Sequence, residues 1–509
     1  MPDNSANNKR IARNTAFLYI RMLFVLVINL YTSRVILKNL GVEDYGIYNV
    51  VAGFISMFAF INTSMSACIQ RYYNFEKGKR GDEGFRDVYK TSCIIQLLLA
   101  VLIITLVETF GIWFLNHKLV IPTERFGAAK ILFHFATGSM AFVVLQVPYS
   151  AAIMAHEKMD YYALVGILDV LLKLGIVIAL PYLPYDRLVT YSFLLGMVSL
   201  IDFFFYFVYA KCRFKEIKGI SHLSKSLFKE MLSFSCWSMF GSFAQVIRNQ
   251  GLNIVLNMFF GPVVNAARGI SFQVKGALIG LVSNISTSAQ PQIVESYAQG
   301  DINRSKNLMT SISKICFFLL FMMSLPIICE VDFILDLWLD GIVPEYTKIF
   351  TILILVISLI DVFNRPTTIL IYATGKISIY NIITSFIGLL VLPLAYFALK
   401  IGLGPTSVYF ASILVSTLVM LASIIRLKKT TGITIKYYLL KILWPCIRAA
   451  LCSIIIPLIV IMLLPSGWLR FLISCVTAVI SVGGFAFITG LSISEKVLVK
   501  SLINKMLKK

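Results

Sequence analysis

Charge is scarce in this chain. Only 14% of its 509 residues are Asp, Glu, Lys or Arg, against roughly a quarter in ordinary soluble domains. A surface wetted on all sides cannot be built from so few. The usual catalytic and metal-binding patterns are missing too. The four histidines, His117, His134, His156 and His222, are scattered without ligand spacing. No GxxxxGK(S/T) phosphate loop is present. The stretch Lys77-Gly78-Lys79-Arg80-Gly81 has glycines and bases without that spacing, which argues against ATP hydrolysis. HExxH and GxSxG are absent as well. The nine cysteines include no CxxC pair. Most of them, such as Cys93, Cys236, Cys316, Cys452 and Cys475, fall inside apolar runs and read as small core residues rather than disulfides or zinc ligands. No catalytic residue, metal or cofactor is expected, and the chain does not read as an enzyme.

Apolar side chains are what it has, at 58% of the sequence. They come in long continuous runs, not in the short alternating segments of a membrane barrel. At about 20 residues per crossing, the runs predict an all-α polytopic membrane protein of about fourteen helices. The expected spans are 15–37, 46–69, 91–115, 131–154, 161–180, 188–210, 233–258, 267–289, 311–329, 349–372, 379–399, 405–425, 443–464 and 469–491. The polar, basic start is followed by a full-length run with no small-residue cleavage site, so it reads as a retained first helix and not a signal peptide.

The net charge of +21 is distributed by loop. Lys9, Arg10 and Arg13 precede the first span. Arg71, Lys77, Lys79, Arg80, Arg86 and Lys90 follow the second, and Lys211, Arg213, Lys215, Lys218, Lys225 and Lys229 follow the sixth. Arg426, Lys428, Lys429, Lys436 and Lys441 follow the twelfth, and lysines close the chain. The intervening loops carry few bases, and the loop after the ninth span is acidic, with Glu330, Asp332, Asp336, Asp340 and Glu345. This is the positive-inside pattern with both termini cytoplasmic. It accounts for the net charge without a nucleic-acid partner.

The chain also repeats itself. Asn62, Ser64, Ser66, Ala67, Gln70 and Gly78 recur as Asn284, Ser286, Ser288, Ala289, Gln292 and Gly300, all at an offset of 222. Leu40-Gly41 and Asn29 answer Phe260-Gly261 and Asn249 at 220, and Pro148, Ile153, Ala155 and Lys158 answer Pro366, Ile371, Ala373 and Lys376 at 218. The reading is two six-helix lobes, 14–210 and 233–425, joined by a basic cytoplasmic linker, 211–232, with a terminal helix pair at 443–491. Six is even, so the lobes insert in parallel, a transporter plan with substrate held between the halves.

Ionisable groups at membrane depth are costly and face a cavity or a partner. Arg21 with Asn29 and Thr32 makes a polar stripe on the first span. The seventh span carries Ser235, Ser238, Ser242, Gln245, Arg248 and Asn249, largely on one face. Arg268 and Lys275 stand on one side of the eighth. Arg21, Arg248, Arg268 and Lys275 either line a cationic cavity or pair across helices, and Arg34 either joins them or snorkels as an interfacial anchor. Asp169 with Lys173, and Asp361 with Arg365, form i,i+4 pairs able to neutralise each other, with ion coupling as the alternative. Glu108 and Asp202 have no such neighbour and are candidates for a proton or sodium relay.

The segments Leu30-Tyr31-Thr32-Ser33-Arg34-Val35-Ile36-Leu37 and Leu40-Gly41-Val42-Glu43-Asp44-Tyr45-Gly46-Ile47-Tyr48-Asn49-Val50-Val51 resemble the start of bacterial O-antigen and polysaccharide flippases. So does the serine-rich end of the second span with Gln70-Arg71-Tyr72. These belong to the multidrug/oligosaccharidyl-lipid/polysaccharide exporter superfamily. The resemblance implies a flippase in the bacterial inner membrane that moves an undecaprenyl-pyrophosphate-linked oligosaccharide between leaflets through a cationic cavity. Membrane lipids, and functionally glycosyltransferases and a polysaccharide polymerase, are the implied partners. An ion-coupled drug exporter would favour an acidic cavity, and a glycan polymerase or ligase a larger outward loop than any present here.

Overall fold

The computed structural model describes residues 4–156, 158–217, 225–374, 377–492 and 495–496, with side chains from residue 24 onward except at scattered positions. Within these residues every regular element is helical. In chain order the helices are α1 (Asn4–Ser56), α2 (Ala59–Leu106), α3 (Ile112–His117), α4 (Phe126–Leu145), α5 (Val147–Ala155), α6 (Met159–Ala179), α7 (Arg187–Arg213), α8 (Lys225–Phe260), α9 (Pro262–Ala298) and α10 (Ile302–Cys329). There follow α11 (Val331–Leu339), α12 (Thr347–Asp361), α13 (Asn364–Ala373), α14 (Ile377–Leu389), α15 (Val391–Lys400), α16 (Ser407–Thr431), α17 (Ile435–Tyr438), α18 (Trp444–Leu463) and α19 (Trp468–Phe485).

Eleven helical stretches among the described residues are long and apolar enough to cross a membrane, against about fourteen expected spans. The first of the eleven, Phe24–Lys77, runs from within the first expected span through the whole of the second. The expected seventh and eighth spans lie in α8 and α9, which are not among the eleven. A multi-pass membrane protein follows directly from this density of apolar helix.

Glycines mark the places where the long helices turn. Gly41 has φ +79° and divides α1 into 4–40 and 42–56. Gly81, at φ +64°, divides α2. These are left-handed conformations that a side chain resists. At Gly81 the chain doubles back on itself. Tyr73 stacks on Phe85 with ring centroids 4.2 Å apart, and Arg80 bridges Glu76 at 2.8 Å and Asp87 at 2.9 Å.

The chain forms two compact units, Met1–Ala266 and Ala267–Lys509. The division falls inside α9, not in the basic segment 211–232 where the duplication places the joint. The reason is α8, which packs on α1 and α2 and so belongs to the first unit. The core of that unit is apolar and fully buried, with Ile47, Val50, Met65, Ile69, Phe85 and Phe133 at its centre.

In the second unit α10 is the hub, with α12, α13, α18 and α19 all packed against it. The terminal helices are pinned to this hub near both ends. Glu330, fully buried at the α10–α11 junction, accepts from Arg470 of α19 at 2.9 and 2.7 Å and from the Ser474 hydroxyl at 3.0 Å. At the other end the buried Lys314 of α10 pairs with Glu495, which also accepts from Ser311 at 2.6 Å. Burial raises the Glu495 pKa, but the hydrogen bonds from Lys314, Ser311 and the Ser492 amide outweigh it and hold the group ionised below its ordinary range.

Candidate functional site

The cations singled out from the sequence occupy different settings. The side chain of Arg21 lies outside the described residues, as do those of Ser238 and Ser242. Arg34 is half-buried on α1, beside Ser33, whose hydroxyl donates to the Asn29 carbonyl at 2.8 Å. Arg248 is half-buried on α8, between the exposed Gln245 and the buried Leu252. In the second unit Arg268 is buried, with its guanidinium 4.2 Å from the Phe272 ring centre and 5.9 Å from that of Tyr409. Lys275 lies 5.5 Å from the same Phe272 ring. One aromatic ring is thus approached by two cations, which its quadrupole attracts. Positions seven residues apart on one helix face make this possible.

Two of the acids have found basic partners. Asp169 bridges Lys173 at 2.6 Å, the i,i+4 pair expected from the sequence. Asp202 of α7 lies near Asp169 of α6, and its Oδ1 is buried with no partner. Glu108, expected to lack a neighbour, meets His134 of α4 at 2.9 Å. It sits in a π-helical turn, Val107–Gly111, where α2 gives way to α3. Asp361 ends α12, half-buried. Arg365, expected to pair with it, donates to the Thr287 hydroxyl at 2.9 Å and is exposed. Among the described residues, no group of three His, Cys, Asp or Glu could hold a metal ion.

Three features were not anticipated. The first is a lattice of asparagines where α8 meets α9. Asn265 donates to the Asn253 carbonyl and side-chain oxygens, both at 2.7 Å, and accepts from Asn257 at 3.0 Å. Asn257 also accepts from the Val120 amide at 2.9 Å, and Asn253 donates to the Asn49 carbonyl at 3.1 Å. The backbones meet closely here, since a Cβ on Gly46 would stand 2.0 Å from the Pro262 carbonyl oxygen. Three asparagines so near a Gly-Pro turn were a visible signal that the sequence reading passed over.

The second feature is a charged cluster at the start of the basic segment. Glu216 lies 3.1 Å from both Lys77 and His156, and Arg86 donates to its carbonyl at 3.0 Å. His156 stacks on Phe214 at 4.0 Å. Burial pushes the Glu216 pKa up, yet hydrogen bonds from its own backbone, His156 and Lys77 prevail and bring it down to about 2. The third is Arg125, which forks between Asp44 at 2.7 Å and Asp186 at 2.6 Å. Asp186 also caps α7 by accepting from the Val189 amide. For Asp186, too, burial opposes ionisation and the bonds from Arg125 and Val189 overcome it, lowering the pKa.

Comparison with known proteins places this arrangement. No curated protein matches by sequence. Among solved structures, the fold is that of a lipid II flippase, MurJ, in an inward closed conformation, at a TM-score of 0.73 and 16% identity over 93% of this chain and 98% of that one. An inward-facing multidrug resistance MATE family transporter of the MOP superfamily matches at 0.67 and 16% over 82% and 98%. A MOP superfamily transporter from Pyrococcus furiosus, described as having a binding pocket of reverse polarity, matches at 0.59 and 15% over 84% and 96%. At such identities the likeness establishes the fold, an all-helical transporter fold. The sequence profile of the family described as "Polysaccharide biosynthesis protein" matches residues 10–331, more than half of the chain, and the chain belongs to that family.

Proposed function

We propose that this protein is a flippase for an undecaprenyl-pyrophosphate-linked oligosaccharide, a repeat unit of O-antigen, capsule or exopolysaccharide, and not an enzyme. The observation that carries the reading is the placing of two cations, Arg268 and Lys275, at one aromatic ring, Phe272. Basic side chains gathered in this way suit a pyrophosphate, which an arginine fork grips through two hydrogen bonds. A carrier of cationic drugs would want acids in their place.

In this reading Arg21, Arg34 and Arg248 of the first unit and Arg268 and Lys275 of the second meet the headgroup in turn. Lobes 14–210 and 233–425 are the repeats that alternate access, 211–232 is their cytoplasmic linker, and 443–491 is the appended pair. The protein sits in the bacterial inner membrane with both termini cytoplasmic, supplied by glycosyltransferases and feeding a polymerase. The test is reconstitution in vesicles carrying a lipid-linked oligosaccharide in both leaflets. An impermeant glycosidase should digest about half without the protein and nearly all with it. Equal digestion in both would overturn the proposal.

A further inference from the structure

The expected tenth span carries a turn at Val362–Phe363, between α12 and α13, just before Pro366. Pro366 has no amide to offer the Val362 carbonyl, and on the buried side hydroxyls gather at the neighbouring one. The Thr367 hydroxyl donates to the Phe363 carbonyl at 2.9 Å, and the buried Tyr438 reaches the same carbonyl at 3.4 Å and Thr367 at 3.0 Å. The opposite side of the turn carries Arg365, exposed.

The character of that exposed side can be read from its neighbours. Thr287 of α9 accepts from Arg365 and passes its own proton to the Ser283 carbonyl at 3.0 Å. Thr287 and Gln290 are exposed on α9, and Ser286, on the other side, turns inward to Cys316 at 3.3 Å. Exposed positions on α14 look quite different, being Ile379, Ile382, Ile383 and Phe386. That is a surface for lipid. A threonine, a glutamine and an arginine together are a surface for water, because a guanidinium facing hydrocarbon is heavily penalised.

We infer that Arg365, oriented by Thr287, is a binding group for phosphate oxygens, a role neither the duplication nor the i,i+4 reading of Asp361 assigned it. The bond to Thr287 uses one of the five guanidinium N–H donors and sets the fork. The remaining donors fit two phosphate oxygens side by side, which a lysine cannot reproduce. The phosphate belongs either to the pyrophosphate of the cargo or to an anionic phospholipid headgroup. The first source rests on the flippase reading above, and the second does not.

The experiment is binding by the full-length protein in nanodiscs, with undecaprenyl pyrophosphate titrated in one arm and phosphatidylglycerol in the other. Arg365→Ala should weaken binding in one arm by about tenfold, or ~1.4 kcal/mol. Arg365→Lys should weaken it less, and Thr287→Val should fall between wild type and Arg365→Ala. Thermal melting is followed throughout. If Arg365→Ala melts early, the Lys and Val variants carry the comparison. Dependence on Arg365 in either arm supports the site and identifies its phosphate. Unchanged affinity of all three variants in both arms overturns it. Wild-type protein that ignores the pyrophosphate, with Arg365-dependent binding of phosphatidylglycerol, instead overturns the flippase reading and leaves the site standing.

Discussion

Removing one end of the Glu330–Arg470 pair should destabilise the second unit far more than removing both. The Glu330 side chain is 0% exposed and that of Arg470 is 16% exposed, so neither charge is well hydrated once its partner is gone. Arg470→Met leaves a carboxylate with the Ser474 hydroxyl as its remaining donor. Breaking a buried pair in this way costs about 3–5 kcal/mol. A unit of this size loses roughly 2–4 °C of melting midpoint per kcal/mol, so a drop of order 10 °C is expected. The double variant Glu330→Leu/Arg470→Met removes both charges and replaces them with apolar bulk. It should recover at least half of that loss, because desolvation offsets most of the attraction in a buried pair. The assay is thermal unfolding in detergent, followed by tryptophan fluorescence, since Trp468 lies close to Arg470 in the chain. A single variant that melts within 2 °C of wild type would refute the reasoning. So would a double variant that melts no higher than the single ones.

The asparagine lattice makes a second test: Asn265→Leu strands oxygens of Asn253 and a donor of Asn257, and each lost buried partner costs ~1–3 kcal/mol. Its midpoint should fall by several degrees, measured against Asn249→Leu outside the lattice. Gly46→Ala should be worse tolerated than Gly138→Ala, where a Cβ meets nothing within 4 Å, as scored by the yield of folded protein. Stability should also fall in acid. The Glu216 pKa is about 2 when folded and near 4.5 when unfolded, so its contribution is complete above pH 4.5 and is lost as pH falls toward 2. Because Lys77 is 38% exposed, solvent screening reduces that contribution to about 1–2 kcal/mol. Glu216→Gln should flatten the slope of midpoint against pH in that window, and an unaltered slope would count against the cluster.

The helical class was legible because the apolar runs are long and uninterrupted, and burial in lipid leaves helices as the economical way to pair their backbones. The transporter fold followed from that together with the repeat. Boundaries were less legible. The expected outer loop near Gly41 is continuous helix on either side of a single left-handed residue, because one glycine is enough to redirect a chain that remains helical. The acidic stretch from Glu330 was read as an outward loop. Instead Glu330 is buried and Val331–Leu339 is a helix. Its partner Arg470 is 140 residues away, and no local pattern reveals a contact at that separation.

The same limit explains which charges were assigned correctly. Helical spacing finds partners on one helix, and it found Asp169 with Lys173. It cannot see across helices, so it missed His134 beside Glu108 and Glu495 beside Lys314. It also could not see that Arg365 reaches Thr287 on another helix. At the turn beside that arginine, Thr367 of the same helix and Tyr438 of α17 both hold the Phe363 carbonyl. A purely structural kink would need the same bracing but would have no use for a cation there, because any apolar side chain would fill the exposed position at lower cost. The bracing accounts for the shape of the turn, and the charge is left for a ligand to explain.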